Sequence, residues 1–151
     1  MFAVATQLSP HFTLEEFTTS DTARQLGLSN QPTPDMLQRL KQTAAEMEKI
    51  RALLGGLPIT VNSAFRSPAV NSAVGGVPGS AHQQAYAVDF TCAAFGTPFD
   101  VCKKIAASPL KFDQLIHEKR VWIHISFAPT MRRQLLTLPA DGGDYVSGIN
   151  P

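Results

Sequence analysis

A long amphipathic helix is the sequence feature that most constrains how this chain can fold. The helix is predicted from about Pro34 to Leu54, because Thr33 can cap it and proline suits its first position. The glycine pair Gly55-Gly56 ends it. Apolar residues recur along it at helical spacing and form a single face: Met36, Leu37, Leu40, Met47, Ile50 and Leu54. We therefore expect this helix to be scaffold.

The rest of the chain is made of shorter segments. Strands are predicted at PITVNSAF, AYAVDFTC, KFDQLIH and VWIHISF, and the last two are close enough in sequence to form a hairpin. A turn is predicted at RSPAVN, a second helix from Thr97 to about Ser108, and two short helical segments at LEEF and DTARQLG. Helices thus precede, interrupt and flank mostly antiparallel strands. This order predicts an α+β fold, a small antiparallel sheet flanked by helices.

Composition and charge indicate how many domains the chain forms and which classes of partner it binds. The chain has 151 residues, of which 44% are hydrophobic and 17% charged, which is a globular composition sized for one domain. Its formal net charge of +1 gives no support for a nucleic-acid partner. No run of about 18 apolar residues is present, so we expect no membrane insertion. We assign residues 1–138 to one domain, expect a flexible tail over 139–151, and expect a monomer.

The N terminus and the cysteines carry little functional signal. The segment MFAVATQLSPHF lacks a basic leader and a sustained apolar core, so no signal peptide is expected. Cys92 and Cys102 are too few for a disulfide framework, and neither belongs to a CxxC pair. We expect both to be small core residues, while a single bridge between them stays open.

Three residues stand out as potential zinc ligands: His82, Asp89 and His124. Zinc favours imidazole nitrogen and carboxylate oxygen, and a catalytic site takes three protein ligands and keeps one position open. His82 and Asp89 are seven residues apart across a loop-to-strand junction, and His124 comes from a separate strand. By spacing alone a strand histidine is more often a structural residue. Asp89 strengthens the metal hypothesis, because a carboxylate in an apolar strand needs a partner or a metal.

Three blocks of the sequence resemble, in the same order, those of the zinc D,D-carboxypeptidase and L-alanyl-D-glutamate peptidase family, which has the hedgehog/D,D-peptidase fold. SAHQQAYAVD is similar to the family signature Ser-x-His-x-x-Gly-x-Ala-x-Asp. SAFRSPAVNSAVGG resembles its Ser-Gly-Tyr-Arg-Ser block, and FDQLIHEKRVWIHISF resembles its closing strand pair with Trp-x-His. The resemblance covers about residues 8–128. It implies that His82, Asp89 and His124 bind one zinc ion, that Arg66 holds a substrate carboxylate or carbonyl, and that Ser80 lines the substrate cleft.

The chain departs from the family pattern at two positions. The signature glycine between the histidine and the aspartate is Ala85, which adds a methyl group where a tight backbone turn is expected. Several family members place the acidic general base three residues before the last histidine, and that position is Val121 here. The nearest acid is Glu118, six residues before His124, a spacing that resembles the one in hedgehog domains.

The length of the last turn decides which residue is the base. If residues 119–121 form a three-residue turn, Glu118 faces Trp122 and shares a sheet face with His124. With a two-residue turn the register shifts by one, and His117 shares that face instead. We predict Glu118 as the base, because a carboxylate near a cation stays ionised at neutral pH. His117 and Asp113 remain the alternatives.

The function implied by the resemblance is a zinc-dependent peptidase acting on peptidoglycan stem peptides. The residues do not distinguish a D,D-carboxypeptidase from an endolysin-type endopeptidase. The predicted absence of a signal peptide fits an enzyme made in the cytoplasm that reaches the cell wall by phage-type release or delivery, with cytoplasmic recycling as an alternative. Two further hypotheses are a catalytically inactive zinc-binding module and a structural component of a phage particle.

Overall fold

In the computed structural model, residues 6–151 are described, and within that range the chain forms five helices and eight strands. The helices are α1 (Leu14–Thr18), α2 (Asp21–Leu26), α3 (Pro34–Leu53), α4 (Pro68–Ala73) and α5 (Pro98–Ala106). The strands are β1 (Gln7–Ser9), β2 (Phe12–Thr13), β3 (Thr60–Ser63), β4 (Ala87–Thr91), β5 (Gln114–Glu118), β6 (Trp122–Ser126), β7 (Gln134–Leu138) and β8 (Val146–Ser147). β1 and β2 pair with each other, and the other six form one sheet in the order β3-β4-β6-β5-β7-β8. The predicted α+β class is confirmed.

The helix boundaries follow the predicted capping signals. The Thr33 hydroxyl accepts a hydrogen bond from the Met36 amide, 3.3 Å, at the start of α3. Thr97 and Asp100 form a reciprocal capping box at the start of α5. Gly27 ends α2 in the left-handed conformation, φ 65°. Within residues 6–151, no helix is long and apolar enough to span a bilayer.

Three parts of the fold differ from the sequence prediction or were not predicted. The predicted turn at RSPAVN is wrong, because helix α4 begins within this segment. The Ser67 hydroxyl caps the helix by accepting a hydrogen bond from the Val70 amide, and Pro68 lies in the first turn of the helix. These are helix-start signals that also fit a turn. The β1–β2 hairpin was not predicted, nor were β7 and β8. β7 pairs with β5 in parallel, so the larger sheet is mixed.

The described chain divides into two compact units. The first contains the chain through Glu48 together with Ser63–Val88, and the second contains Lys49–Asn62 and Asp89–Pro151. In the first unit, Glu48 on α3 holds the β1–β2 hairpin. Its carboxylate accepts from the Ser9 hydroxyl, 2.6 Å, the His11 amide, 2.7 Å, and the His11 ring at Nδ1, 2.7 Å. Burial raises the pKa of Glu48, but these bonds outweigh it and hold the pKa below its usual value.

In the second unit, α5 packs against β5 and β6. The Phe99 ring at the start of α5 lies 5.8 Å from the ring of His117, so α5 covers the sheet face that carries His117. Cys92 and Cys102 are both buried and free, as predicted for core residues. Burial raises the pKa of the Cys102 thiol to about 12, which leaves it inert as a nucleophile at neutral pH.

The segment 139–151, predicted to be a flexible tail, has defined contacts in the second unit. β8 pairs with β7 in antiparallel fashion. The Thr137 hydroxyl donates to the Gly148 carbonyl, 2.7 Å, and accepts from the Asn150 amide, 2.8 Å. The Asn150 carbonyl accepts from Nδ1 of His117, 2.7 Å. The domain boundary at residue 138 stays a prediction.

A buried carboxylate anchors the connection from β6 to β7. Because β7 lies on the far side of β5 from β6, the chain must pass the start of β5, where Asp113 lies. Asp113 accepts from the Thr130 hydroxyl, 2.7 Å, from the Arg132 amide, 3.0 Å, and from the Arg132 guanidinium at Nε, 2.9 Å, and Nη2, 2.8 Å. The Arg132 guanidinium is the main reason that the pKa of Asp113 lies well below its usual range.

Replacing Asp113 by Asn should destabilise the protein by about 2 kcal/mol at pH 7, because charge-assisted hydrogen bonds are lost while the shape is kept. Since the pKa of Asp113 is lower in the folded chain than in the unfolded chain, its contribution is complete above the ordinary carboxyl pKa of about 4. The contribution disappears as the pH falls through the lowered, folded-state pKa. Urea unfolding at pH 7 and at pH 3 measures both effects.

The matched control is Asp144→Asn, at an exposed carboxyl of the same unit. Its free energy of unfolding should stay within about 0.5 kcal/mol of wild type. An Asp113→Asn variant as stable as this control at pH 7 would show that the β6–β7 connection does not depend on the carboxylate.

Candidate metal centre

The structure brings together the three side chains predicted as zinc ligands. His82 lies in the loop before β4, Asp89 on β4 and His124 on β6. All three are buried, and one ligand atom from each lies within 4.8 Å of the others. Two imidazoles and a carboxylate are the donor set of a catalytic zinc site with one position left for water or substrate. The residues present therefore fit a zinc ion.

Within the first unit, hydrogen bonds set which nitrogen His82 presents. Nδ1 of His82 lies 2.7 Å from the carbonyl oxygen of Ala64, so Nδ1 carries the hydrogen and donates. Nε2 is then the nitrogen without a hydrogen, which is the form that a metal ligand requires. The Arg66 amide donates to the His82 carbonyl, 3.2 Å. The chain after β3 therefore holds both the ring and the backbone of His82.

Within the second unit, Asp89 and His124 are paired. Nδ1 of His124 lies 2.9 Å from Oδ1 of Asp89, and both side chains are almost completely buried. In this pair a hydrogen on the imidazole nitrogen satisfies the carboxylate. A metal cation that replaces that hydrogen satisfies the same two atoms, because metal ligands bind in the deprotonated form.

The turn between His82 and Asp89 is tight, as the family glycine implies. Ala85 has a φ of 64°, in the left-handed region that costs a residue with a Cβ about 1 kcal/mol. Hydrogen bonds from its neighbours hold the turn. The Ala85 amide donates to the His82 carbonyl, 3.2 Å, and the hydroxyl of Thr43 on α3 donates to the Ala85 carbonyl, 2.7 Å. The alanine alters the strain of the loop and leaves the turn itself in place.

The β5–β6 hairpin has the predicted three-residue turn. Glu118 pairs with Trp122, and Ile116 pairs with His124. Side chains of paired residues lie on one sheet face, so Glu118 shares a face with His124. The two residues are diagonal neighbours on that face, a separation of about 7–8 Å.

The same register places the alternative bases elsewhere. His117 lies on the opposite face, is 2% exposed, and uses Nδ1 to bond Asn150. Asp113, four residues before it, lies on that face too and is paired with Arg132. Val121 is at the hairpin tip, 56% exposed.

A cavity of about 350 Å³ is lined by His117 and Thr137, and none of the three candidate ligands lines it.

Arg66 and Ser80, the predicted substrate residues, meet at a third residue of the first unit, Asn71. The Ser80 hydroxyl donates to Oδ1 of Asn71, 2.8 Å, and Nη1 of Arg66 lies 3.4 Å from the same oxygen. Asn71 was not predicted as a site residue from the sequence. The only available signal was its place in the block SAFRSPAVNSAVGG that also contains Arg66.

Tyr145 is a second residue that the sequence analysis missed. It directly precedes β8. Partial removal from water, and then the charges of Glu118 and Asp89, raise the pKa of its phenol. Tyr145 therefore lies within the electrostatic reach of both carboxylates, although it belongs to the segment predicted to be a tail.

A buried His-Asp-His group on this α+β scaffold defines a centre of the zinc metallopeptidase type. The family model described as peptidase M15 matches residues 10–126. The chain therefore belongs to the peptidase M15 family, the zinc D-Ala-D-Ala carboxypeptidase family, and the predicted family and fold are confirmed. Membership supports a zinc metallopeptidase. No curated protein matches the chain significantly.

We expect the purified protein to hold close to one zinc ion per chain, and each of His82→Ala, Asp89→Ala and His124→Ala to lose it. The melting temperature should fall with the metal, because the free energy of metal binding contributes to folding. Metal analysis by mass spectrometry and thermal unfolding with and without a chelator measure both effects.

His117→Asn is the matched control, since it changes a buried histidine on the other sheet face and keeps a donor near the Nδ1 position. It should retain its zinc. Full zinc content in all three ligand variants would show that the metal binds elsewhere.

Proposed function

We propose that this protein is a peptidase that hydrolyses the stem peptides of peptidoglycan by metal-activated water. The observation that supports it most directly is the buried group of His82, Asp89 and His124 with Glu118 on the His124 face of the hairpin. Membership of the peptidase M15 family supports the reaction class and suggests peptidoglycan as the substrate.

The three ligands would hold one zinc ion, which supplies a Lewis acid for the scissile carbonyl and lowers the pKa of the attacking water. Glu118 is the general base in this mechanism. Its carboxylate takes a proton from the water as the new C–O bond forms, and returns it to the leaving amine as the C–N bond breaks. Peptide and water are thereby converted to one carboxylic acid and one amine.

Arg66 would bind the substrate end. Its guanidinium matches a carboxylate through two parallel hydrogen bonds, and the segment 64–66 that carries it is bonded to His82 at both Ala64 and Arg66. A substrate carboxylate held by Arg66 would therefore keep a constant relation to the His82 ligand. The Ser80 hydroxyl, already bonded to Asn71, would line the same cleft.

A terminal carboxylate on Arg66 fits a D,D-carboxypeptidase most simply, and a carbonyl in its place fits an endopeptidase. We propose a monomer that acts on the cell wall after phage-type release or delivery, with no nucleic-acid partner. The net charge of +1 supports the absence of a nucleic-acid partner.

Mass spectrometry of muropeptides released from defined peptidoglycan tests the proposed function. Loss of a single terminal D-alanine identifies a carboxypeptidase, whereas separated stem or cross-bridge fragments identify an endopeptidase. Zinc-loaded protein that releases no fragment from any wall type would refute the peptidase and leave the inactive module or the phage structural component.

Glu118→Gln should lower kcat by about 10²- to 10⁴-fold and leave the zinc content unchanged, because it removes the general base and keeps the size of the side chain. Kinetics on the peptide identified by mass spectrometry, with metal analysis of the same sample, provide the measurement. His117→Asn should reduce kcat far less, since His117 lies on the opposite face of the sheet. Equal losses in both variants would count against Glu118.

Arg66→Lys should lower kcat/KM by about 30- to 150-fold, which corresponds to about 2–3 kcal/mol, because a point charge cannot replace a bidentate contact. Zinc content and thermal unfolding should match wild type. The exposed Arg24→Lys is the matched control and should leave the kinetics unchanged. Wild-type kinetics in Arg66→Lys would show that the guanidinium does not bind substrate.

A further inference from the structure

Asn71 is a buried amide at the centre of a hydrogen-bond network in the first unit. It lies on α4 and is 1% exposed. Oδ1 of Asn71 accepts from the Ser80 hydroxyl, 2.8 Å, and lies 3.4 Å from Nη1 of Arg66. Its Nδ2 donates to the Val77 carbonyl, 2.8 Å, and to Oε1 of Gln83, 3.2 Å. All four hydrogen-bonding positions of the amide are therefore used.

These partners leave only one orientation for the amide. Nδ2 faces two acceptors, and Oδ1 faces two donors, so a flip of the amide would oppose like groups on both sides. Such a fully bonded buried network is rigid, because breaking any part of it leaves a polar group without water.

Gly76 provides the space that the amide occupies. A Cβ atom added at Gly76 would lie 2.8 Å from Cγ of Asn71, closer than side-chain carbons approach each other. The Gly76 amide donates to the Asn71 carbonyl, 2.8 Å, so the loop after α4 closes back on this residue. The glycine is thus required by the position of Asn71 rather than by its own backbone conformation.

A second buried amide, Asn30, has a different role. Its Nδ2 donates to the carbonyls of Thr18, 2.8 Å, and Phe65, 3.1 Å, and its Oδ1 accepts from the Ser67 amide, 2.7 Å. Asn30 therefore holds the backbone on both sides of Arg66. Asn71 instead contacts the guanidinium itself, at the far end of the Arg66 side chain.

We infer that Asn71 is a positioning residue for substrate binding, whose side-chain oxygen orients the Arg66 guanidinium and the Ser80 hydroxyl toward the substrate. The inference rests on the proposed function, in which Arg66 binds the substrate end. Asn71 itself touches no reacting atom. It acts through Arg66, so its effect on catalysis depends on Arg66 being present.

A double-mutant cycle separates positioning from a general structural effect. Asn71→Ala should lower kcat/KM by about 10- to 100-fold, as expected when the support of a functional side chain is removed. In the Arg66→Ala background the same substitution should change kcat/KM by less than about 3-fold. Asn62→Ala, at an exposed amide on β3, is the matched control and should leave kcat/KM unchanged in both backgrounds.

Two further variants separate the oxygen of Asn71 from its nitrogen. Asn71→Asp keeps the acceptor for Arg66 and Ser80 and loses the donors to Val77 and Gln83, so it should retain most of the activity that Asn71→Ala loses. A purely structural role predicts the reverse order. Gly76→Ala should displace the amide without deleting it, and should lower kcat/KM in the same direction if Asn71→Ala does not fold.

Side-chain NMR of the zinc-loaded full chain gives a readout that needs no activity. The order parameter of Arg66 Nε should fall in Asn71→Ala and should recover in Asn71→Asp. A wild type that cleaves no peptidoglycan peptide would refute the proposed function while leaving this measurement valid. An unchanged Arg66 order parameter, or an equal loss of kcat/KM with and without Arg66, would overturn the inference.

Discussion

The register between β5 and β6 is the constraint on which the second unit depends. Glu118 pairs with Trp122 across a three-residue turn, and this single pairing sorts the residues of both strands onto two faces. One face carries His124 and Glu118, and the other carries His117 under α5. A slip of one residue along β5 would bring His117 onto the face of His124 and would move Glu118 onto the face beneath α5. The candidate metal centre and the packing of α5 therefore depend on the same register.

Buried amides hold the first unit where regular secondary structure does not. Arg66 and Ser80 lie outside the helices and strands, so the ladder bonds that fix a strand are missing there. Asn30 binds the backbone beside Arg66, and Asn71 binds the side chains of Arg66 and Ser80. An amide can do this because it offers donors and an acceptor at fixed angles without introducing a buried charge.

Features with local causes could be predicted from the sequence, and those with distant causes could not. The capping residues Thr33 and Thr97 predict α3 and α5, because a helix start depends on neighbouring residues. The connection that leads to β7 contains the contact between Asp113 and Arg132, nineteen residues apart, which no local pattern predicts. The length of the β5–β6 turn could not be decided from the sequence for a related reason. Lys119 and Arg120 both adopt positive φ there, 52° and 64°, although neither belongs to the residue types that favour it.

The position of the proposed general base, Glu118, and the length of this turn are linked. Had β6 begun earlier, residue 121, an odd number of residues before His124, would alternate onto the face opposite His124. In this chain residue 121 instead lies in the turn, with the Val121 side chain exposed at the hairpin tip. An acid there would lie exposed at the hairpin tip, whereas Glu118 on the adjacent strand is a direct diagonal neighbour of His124. A hairpin with this turn can supply a carboxylate beside His124 from β5, and the replacement of the family acid by Val121 is consistent with that geometry.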